Sequence, residues 1–282
     1  MLSFKDCRDK EARTKYSSYD NLAADLAAGD MPEFTWIEPA YFSTPMQPAT
    51  DQHPDHDVSL GEEVIKEIYE SLRASPIWDD SVFIITYDEH GGFFDHVKPP
   101  TNVPNPDGKV ATDDPFDFTR LGVRIPTVIV SPFIEKGSVF HAPPPTLDEN
   151  NQTSSQYDHT SIISTVVHKL FQPAEGYPAP EYLTKRDEWA KTFEDVFKYD
   201  TGARKDCVQS LPEVFSHKLH FPETLPHSEG RDFLTDLQEE LLVMLGGAAG
   251  EGLLSRENMK NWSEADGKAY CQAKMKAFLN AE

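Results

Sequence analysis

The residues best suited to chemistry follow a short apolar run. Residues 83–87 are rich in β-branched side chains, and Asp88, Glu89 and His90 come directly after them, before two glycines and the pair Asp95-His96. Such a run is typical of a buried parallel strand, and open α/β sheets bind ligands at the carboxyl ends of their strands. Carboxylates and imidazoles at that position predict a site for metal or phosphate chemistry. An acidic loop after a strand is the alternative interpretation.

Two further clusters of titratable residues lie at element boundaries. Residues 51–57 contain Asp51, His53 and His56, and residues 157–161 contain His159. Carboxylate oxygens and imidazole nitrogens suit a divalent metal ion such as zinc, manganese, magnesium or calcium, and these residues do not select among them. They equally suit general acid–base catalysis and the binding of a phosphoryl group. Asp55 and Asp57 have a second interpretation, as caps of the helix that follows.

Periodic patterns predict the elements that position the first two clusters. Ser59 and Glu62 match a capping box, and the apolar residues that follow them at helical spacing predict an amphipathic helix. With strand candidates at residues 34–37 and 82–87 on either side, this helix predicts a β-α-β unit and a parallel sheet. The loop entering the helix and the end of the next strand then share one edge of the sheet. We therefore expect His53 and Asp88 to face one cavity.

The remaining patterns complete a prediction of an α/β fold. Residues 19–28 favour a helix ended by a glycine, residues 126–132 favour a strand, and residues 162–171 favour a helix that Asp158 or Thr160 caps. After about residue 200 the strand patterns stop, and helices are predicted at residues 233–245 and from about Ser263 onward. We predict a parallel-sheet core in residues 1–200 and a helical carboxyl-terminal region in residues 201–282.

Composition narrows the classes of function. The net charge of −22 over 282 residues argues against nucleic-acid binding through a basic surface and against attachment to anionic membranes by charge alone. Three cysteines lie far apart without a CxxC pair, so zinc bound by thiolates is not expected and a reducing compartment is favoured. No apolar run suits a signal peptide or a membrane span, which predicts a soluble protein, cytoplasmic or peripheral to a membrane.

Three motifs, in order, resemble those of the phosphoesterase family that contains bacterial phospholipases C, related acid phosphatases and plant non-specific phospholipases C. Residues 51–62 are similar to a DxHP…GE segment, and residues 88–97 to a DExxGxxDHV segment. Residues 122–132 are similar to a GxRVPxxxxSP segment, with Ile125 in place of the usual valine. The likeness covers essentially the whole chain and is strongest to the plant-type enzymes.

The resemblance implies an alkaline-phosphatase-like α/β fold and a phospholipase C-like hydrolase that converts phospholipid into diacylglycerol and a phosphorylated headgroup. It implies that Asp88 and Glu89 are carboxylates of a metal or phosphate site, and that Asp51 and His53 line the phosphoryl pocket and assist proton transfer. Arg124 either braces the entry to a strand or binds phosphate. The other candidates are imidazoles: His90 as a catalytic group, and His56, His96 and His159 as substrate-binding groups.

The chain also departs from the family pattern. An ENRSFDH-like string, which supplies metal ligands, and a TxPNR-like string, which holds the nucleophile, do not occur in the sequence. The resemblance therefore implies a chain that starts after both motifs. A catalytically inactive fragment or pseudo-enzyme that binds a metal ion, a lipid headgroup or a protein partner is one alternative. A sulfatase-like metallohydrolase is another, although none of the three cysteines lies in a nucleophile motif.

Overall fold

In the computed structural model of the protein, the structure describes residues 16–43, 48–54, 56–112, 116–171, 178–214, 242–243 and 254–280. These residues combine helices with one small sheet. The chain forms two compact units, which we describe separately. The first unit is Met1–Trp78 together with Val208–Glu282, and the second unit is Asp79–Cys207. The sequence-based division near residue 200 stays a prediction.

The first unit has two helices between its described residues 16 and 74. Helix α1 is Leu22–Ala28; a 3₁₀ turn at Tyr19–Asn21 precedes it and Gly29 ends it at a φ of 70°. A left-handed backbone conformation at the end of a helix favours glycine, because glycine has no Cβ that would clash. Helix α2 is Val58–Ala74. Both predicted helices are confirmed.

The start of α2 differs from the predicted capping box. Asp57 is the capping residue, because its Oδ1 accepts a hydrogen bond from the amide of Ser59 at 3.0 Å. Ser59 lies inside the helix and is buried, so it does not cap. A carboxylate interacts more strongly than a hydroxyl with the positive end of the helix dipole. The apolar face of α2 buries three side chains, Ile68, Tyr69 and Leu72.

The second unit contains the sheet. Strand β1 is Phe83–Thr86 and strand β2 is Thr127–Val130, and they pair antiparallel, with Thr86 opposite Thr127. The strands predicted at residues 82–87 and 126–132 are confirmed, but the predicted parallel sheet is not. Parallel neighbours need a crossover, usually a helix, whereas the described residues between β1 and β2, 87–112 and 116–126, contain no helix. Residues 34–37 form no strand, so the β-α-β unit is not found among the described residues.

The sheet rests on a cluster of buried side chains. Alternate residues of a strand point to one face, and Ile84 and Ile129 accordingly pack on that cluster. Every residue of β1 is half-buried, which corrects the prediction of a buried strand. The second face of the sheet is more open, since Val128 is 52% exposed. The cluster consists of Ile134, Phe193, Val196 and Phe197.

Two short helices follow the sheet in the second unit. Helix α3 is Thr160–Thr165 and continues as a π-helix over Val166–Leu170, which together confirm the predicted helix. Helix α4 is Lys185–Trp189. A capping box starts α4, in which the Thr184 hydroxyl and the Asp187 carboxylate each accept from the other residue's backbone amide.

Helices also form the described end of the chain, in the first unit. Helix α5 is Arg256–Met259 and helix α6 is Glu264–Asn280, as the pattern from Ser263 onward predicts. The predicted helix at residues 233–245 lies outside the described residues except for residues 242–243. No helix within the described ranges is both long and apolar enough to cross a membrane.

Candidate functional site

The loop after β1 carries the predicted carboxylates. Asp88 and Glu89 are exposed, so their charges remain hydrated and need no buried partner. Asp88 Oδ1 accepts from the Glu89 amide at 2.9 Å, and Glu89 Oε2 accepts from the Gly91 amide at 2.6 Å. Gly91 and Gly92 have φ angles of 64° and 74°, which a residue without a Cβ adopts most easily. The loop therefore presents both carboxylates on a tight turn.

An ion pair fixes the far end of this loop. Arg124 donates to both carboxylate oxygens of Asp95, from Nε at 2.6 Å and from Nη2 at 2.7 Å. This bidentate pair, together with the amide of Val97, holds the pKa of the Asp95 carboxyl well below its usual range. Arg124 lies three residues before β2 and thus ties the entry to that strand to this loop, which favours the bracing role over the phosphate-binding role.

The two imidazoles of the loop lie beside its carboxylates. His90 Nδ1 is 3.4 Å from Glu89 Oε2, and the His90 side chain is 37% exposed. His96 Nδ1 is 3.6 Å from Asp95 Oδ1, and the His96 side chain is 84% exposed. Both histidines therefore belong to the loop, but His96 points mostly into solvent.

The third cluster meets the end of β1. The Nε2 of His159, at the start of α3, lies 2.8 Å from the carbonyl oxygen of Tyr87, the residue before Asp88. A carbonyl oxygen only accepts hydrogen bonds, so Nε2 is the donor of this contact, and in the corresponding tautomer Nδ1 is the acceptor nitrogen. The structure thus brings His159 to the strand end that carries Asp88 and Glu89, which sequence spacing alone did not indicate.

The first cluster lies in the first unit and forms a pair of its own. Asp51 Oδ1 is 2.5 Å from His56 Nδ1, and their side chains are 1% and 10% exposed. Asp51 Oδ2 is also buried and has no hydrogen-bond partner among the described atoms. The backbone of the same loop closes a turn, in which His53 accepts from the amide of His56 at 3.0 Å. The prediction that His53 and Asp88 share one pocket stays a prediction.

A helix glycine allows the Asp51 loop to lie close to α2. A Cβ on Gly61 would come within 2.1 Å of Gln52 Cγ and 2.8 Å of the Thr50 carbonyl oxygen. Gln52 has a φ of 64° and donates to the carbonyl of Val58 at 3.1 Å. The sequence signal was the single glycine in an otherwise helical pattern, which indicates a close approach of backbone.

The described residues do not form a metal centre by themselves. Within the ranges that the structure describes, no three His, Cys, Asp or Glu side chains are grouped so that they could hold a metal ion. Asp88 and Glu89 provide two carboxylates, which is fewer ligands than zinc, magnesium or calcium takes. Their predicted role as metal ligands stays a prediction.

Comparisons with known proteins agree with the motifs. The model of the phosphoesterase family matches residues 3–172. The chain is 40% identical to non-specific phospholipase C1 of Arabidopsis thaliana, over 99% of this chain and 50% of that protein. It is 42% identical to non-specific phospholipase C6 of the same plant, over 90% of this chain and 46% of that protein. It is 28% identical to phospholipase C A of Mycobacterium tuberculosis strain H37Rv, over 74% and 42%. The chain spans about half the length of the curated relatives it matches.

Proposed function

Because the chain belongs to the phosphoesterase family, we propose that it is a phospholipase C-like hydrolase that splits phospholipid into diacylglycerol and a phosphorylated headgroup. One structural observation carries the proposal: His159 lies against the carbonyl that precedes Asp88 and Glu89, at the end of β1. The relatives named phospholipase C support the same chemistry. A phospholipid or a small phosphate ester is the proposed substrate, met at the periphery of a membrane.

The groups at the end of β1 suit proton transfer near a phosphoryl group. With Nε2 donating to Tyr87, the Nδ1 of His159 is the nitrogen that can accept a proton from the attacking water and then give a proton to the leaving-group oxygen. Asp88, Glu89 and a phosphate ester all carry negative charge. A cation between the two carboxylates and the ester would make binding favourable. A divalent metal ion would supply that charge and polarise the phosphoryl oxygens.

The other predicted site residues keep their proposed roles. We assign proton transfer to Asp51, His53 and His90, and substrate contacts to His56 and His96. The buried Oδ2 of Asp51, which has no hydrogen-bond partner among the described atoms, supports its role, since a buried carboxylate oxygen without a donor is costly unless a bound group supplies one. We assign no covalent nucleophile to this chain. The parallel-sheet core of the alkaline-phosphatase type also belongs to this proposal.

A binding module without catalysis is the second candidate, and the names of the relatives do not favour it. The two candidates differ in what the carboxylates do. A module would need Asp88 only for binding, whereas a hydrolase needs it during turnover.

Turnover by single variants separates these candidates. Purified chain is given phosphatidylcholine vesicles and, in parallel, a chromogenic phosphodiester, and initial rates are measured for wild type and Asp88→Asn. We expect the variant to lose about 100-fold or more, because Asp88 would help to hold the cation that offsets the phosphoryl charge, and the loss of one such electrostatic contribution costs about that much. Asp107→Asn is the matched control, because Asp107 is a carboxylate of the same unit paired with Lys109 at 2.8 Å. Equal rates for wild type and Asp88→Asn would reject the proposed site.

A further inference from the structure

Arg186, in the first turn of α4, connects three parts of the second unit. Its Nε donates to the carbonyl of Pro104 at 2.9 Å and its Nη2 donates to the carbonyl of Phe118 at 2.6 Å. Its Nη1 lies 3.6 Å from Asp158 Oδ2, and each side chain of this ion pair is 13% exposed. A mostly buried guanidinium with carbonyl and carboxylate partners has little freedom to move. Arg186 therefore fixes the Asp158 carboxylate and the backbone that is hydrogen-bonded to it.

Asp158 holds the backbone on both sides of His159. Its Oδ1 accepts from the amide of Thr160 at 2.8 Å and from the Thr160 hydroxyl at 2.6 Å. Its own amide donates to the Ser161 hydroxyl at 3.0 Å. These bonds fix the position from which the His159 ring reaches the carbonyl of Tyr87.

A second connection joins α4 and the residues after it to α3 and the segment before it. The hydroxyl of Ser164, on α3, donates to the carbonyl of Asp187, next to Arg186. The amide of Lys191 donates to the carbonyl of Gln156 at 2.9 Å. The segment around Arg186 therefore runs along the segment that carries His159. Arg186 contributes the ion pair between these two segments, through Asp158, next to His159.

We propose that Arg186 is a positioning residue: through its ion pair with Asp158 it holds His159 against the Tyr87 carbonyl, in the tautomer that leaves Nδ1 free of a proton. This inference rests on the proposed function for its catalytic consequence, but not for its structural part. Without Arg186, the Asp158 carboxylate loses its cation, the ring is no longer directed at Tyr87, and both tautomers become populated. A neutral ring with its proton on Nδ1 cannot accept a proton there.

Nitrogen NMR of histidine-labelled chain, combined with kinetics, tests this inference. The chain contains 10 histidines, so the His159→Gln variant assigns the signal of His159. We expect a protonated Nε2 and an unprotonated Nδ1 in wild type, and a mixture of tautomers in Arg186→Met. We expect kcat to fall by about 10- to 100-fold in Arg186→Met, by analogy with the removal of an outer-shell partner that orients a metal-bound histidine, with a smaller change in KM. Arg186→Lys restores the charge but not the fork, so it should recover part of the loss.

Two further variants keep the test decisive. Arg204→Met is the matched control, because Arg204 also donates to a backbone carbonyl, that of Ile134 at 2.7 Å, and pairs with Asp206 at 2.7 Å; its His159 signal and kcat should equal those of wild type. Asp158→Asn keeps an acceptor for Thr160 but removes the charge that faces Arg186, and it replaces Arg186→Met if that variant does not fold.

The outcomes separate the two proposals. A folded Arg186→Met or Asp158→Asn chain with the wild-type tautomer overturns the role of Arg186, whatever its rate. An Arg186-dependent tautomer in a chain that hydrolyses no phosphate ester supports the positioning role and refutes the proposed function.

Discussion

Replacing Gly61 by alanine tests how the Asp51 loop is positioned. The new Cβ would lie 2.1 Å from Gln52 Cγ, 2.7 Å from Gln52 Cδ and 2.8 Å from the Thr50 carbonyl oxygen. The glutamine side chain can rotate away, although it then loses its hydrogen bond to Val58. The Thr50 carbonyl is backbone, so relieving that contact moves the loop that carries Asp51.

Two opposing energies set the expected magnitude. Alanine is favoured over glycine inside a helix by about 1 kcal/mol. Forcing an extra methyl group into a packed site costs about 1–3 kcal/mol. We therefore expect Gly61→Ala to lower the free energy of unfolding of α2 and its loop by about 1 kcal/mol, where propensity alone would raise it.

Hydrogen exchange measured by mass spectrometry on peptides from residues 48–74 checks this expectation locally. We expect faster exchange in Gly61→Ala, by about fivefold for 1 kcal/mol. The double variant Gln52→Ala/Gly61→Ala removes the side-chain contact but keeps the contact with Thr50, so it should recover only part of the loss. Exchange in Gly61→Ala that is slower than in wild type would refute the close approach at Thr50.

Two other predictions concern stability. Hydrogen bonds from Lys66, Ser210 and Leu211 lower the pKa of Glu70 from 4.5 to about 2. A lowered carboxyl pKa stabilises the folded state only while the group is ionised. Protection of the Leu211 amide against hydrogen exchange should therefore be full above pH 4.5 and should fall as the pH drops toward about 2. Lys66→Met should weaken that protection at neutral pH. Phe197→Ala should cost about 3–5 kcal/mol by urea denaturation, since that side chain is 6% exposed, whereas Phe94→Ala should cost less than about 0.5 kcal/mol, since Phe94 is 93% exposed. Equal costs would contradict the assigned core.

Local patterns in the sequence predicted most of the elements. Helix α2 and strands β1 and β2 follow from apolar periodicity, because side chains three or four apart share a helix face and alternate side chains share a strand face. The sequence offered both Ser59 and Asp57 as caps of α2, because both are good capping residues two positions apart, and the structure uses Asp57. Strand pairing was not predictable in this way, since the parallel or antiparallel choice depends on how a long loop returns.

The contacts of the candidate site were harder to predict, because they join residues far apart in the sequence. His159 meets Tyr87 across 72 residues, and Arg124 pairs with Asp95 across 29. No spacing rule applies over such separations. The sequence nevertheless named both residues as candidates, His159 through its cluster of titratable residues at an element boundary and Arg124 through a motif that resembles one of a known family.

Identifying the bond that is cleaved tests the central claim most directly. Purified chain is incubated with phosphatidylcholine vesicles, and the phosphorus-containing product is followed by ³¹P NMR while diacylglycerol is quantified in the lipid extract. We predict a phosphorylated headgroup and diacylglycerol in equal amounts, formed by wild type and not by Asp88→Asn. Phosphatidic acid as the product, or no cleavage by the wild-type chain, would contradict the proposal of a phospholipase C-like hydrolase.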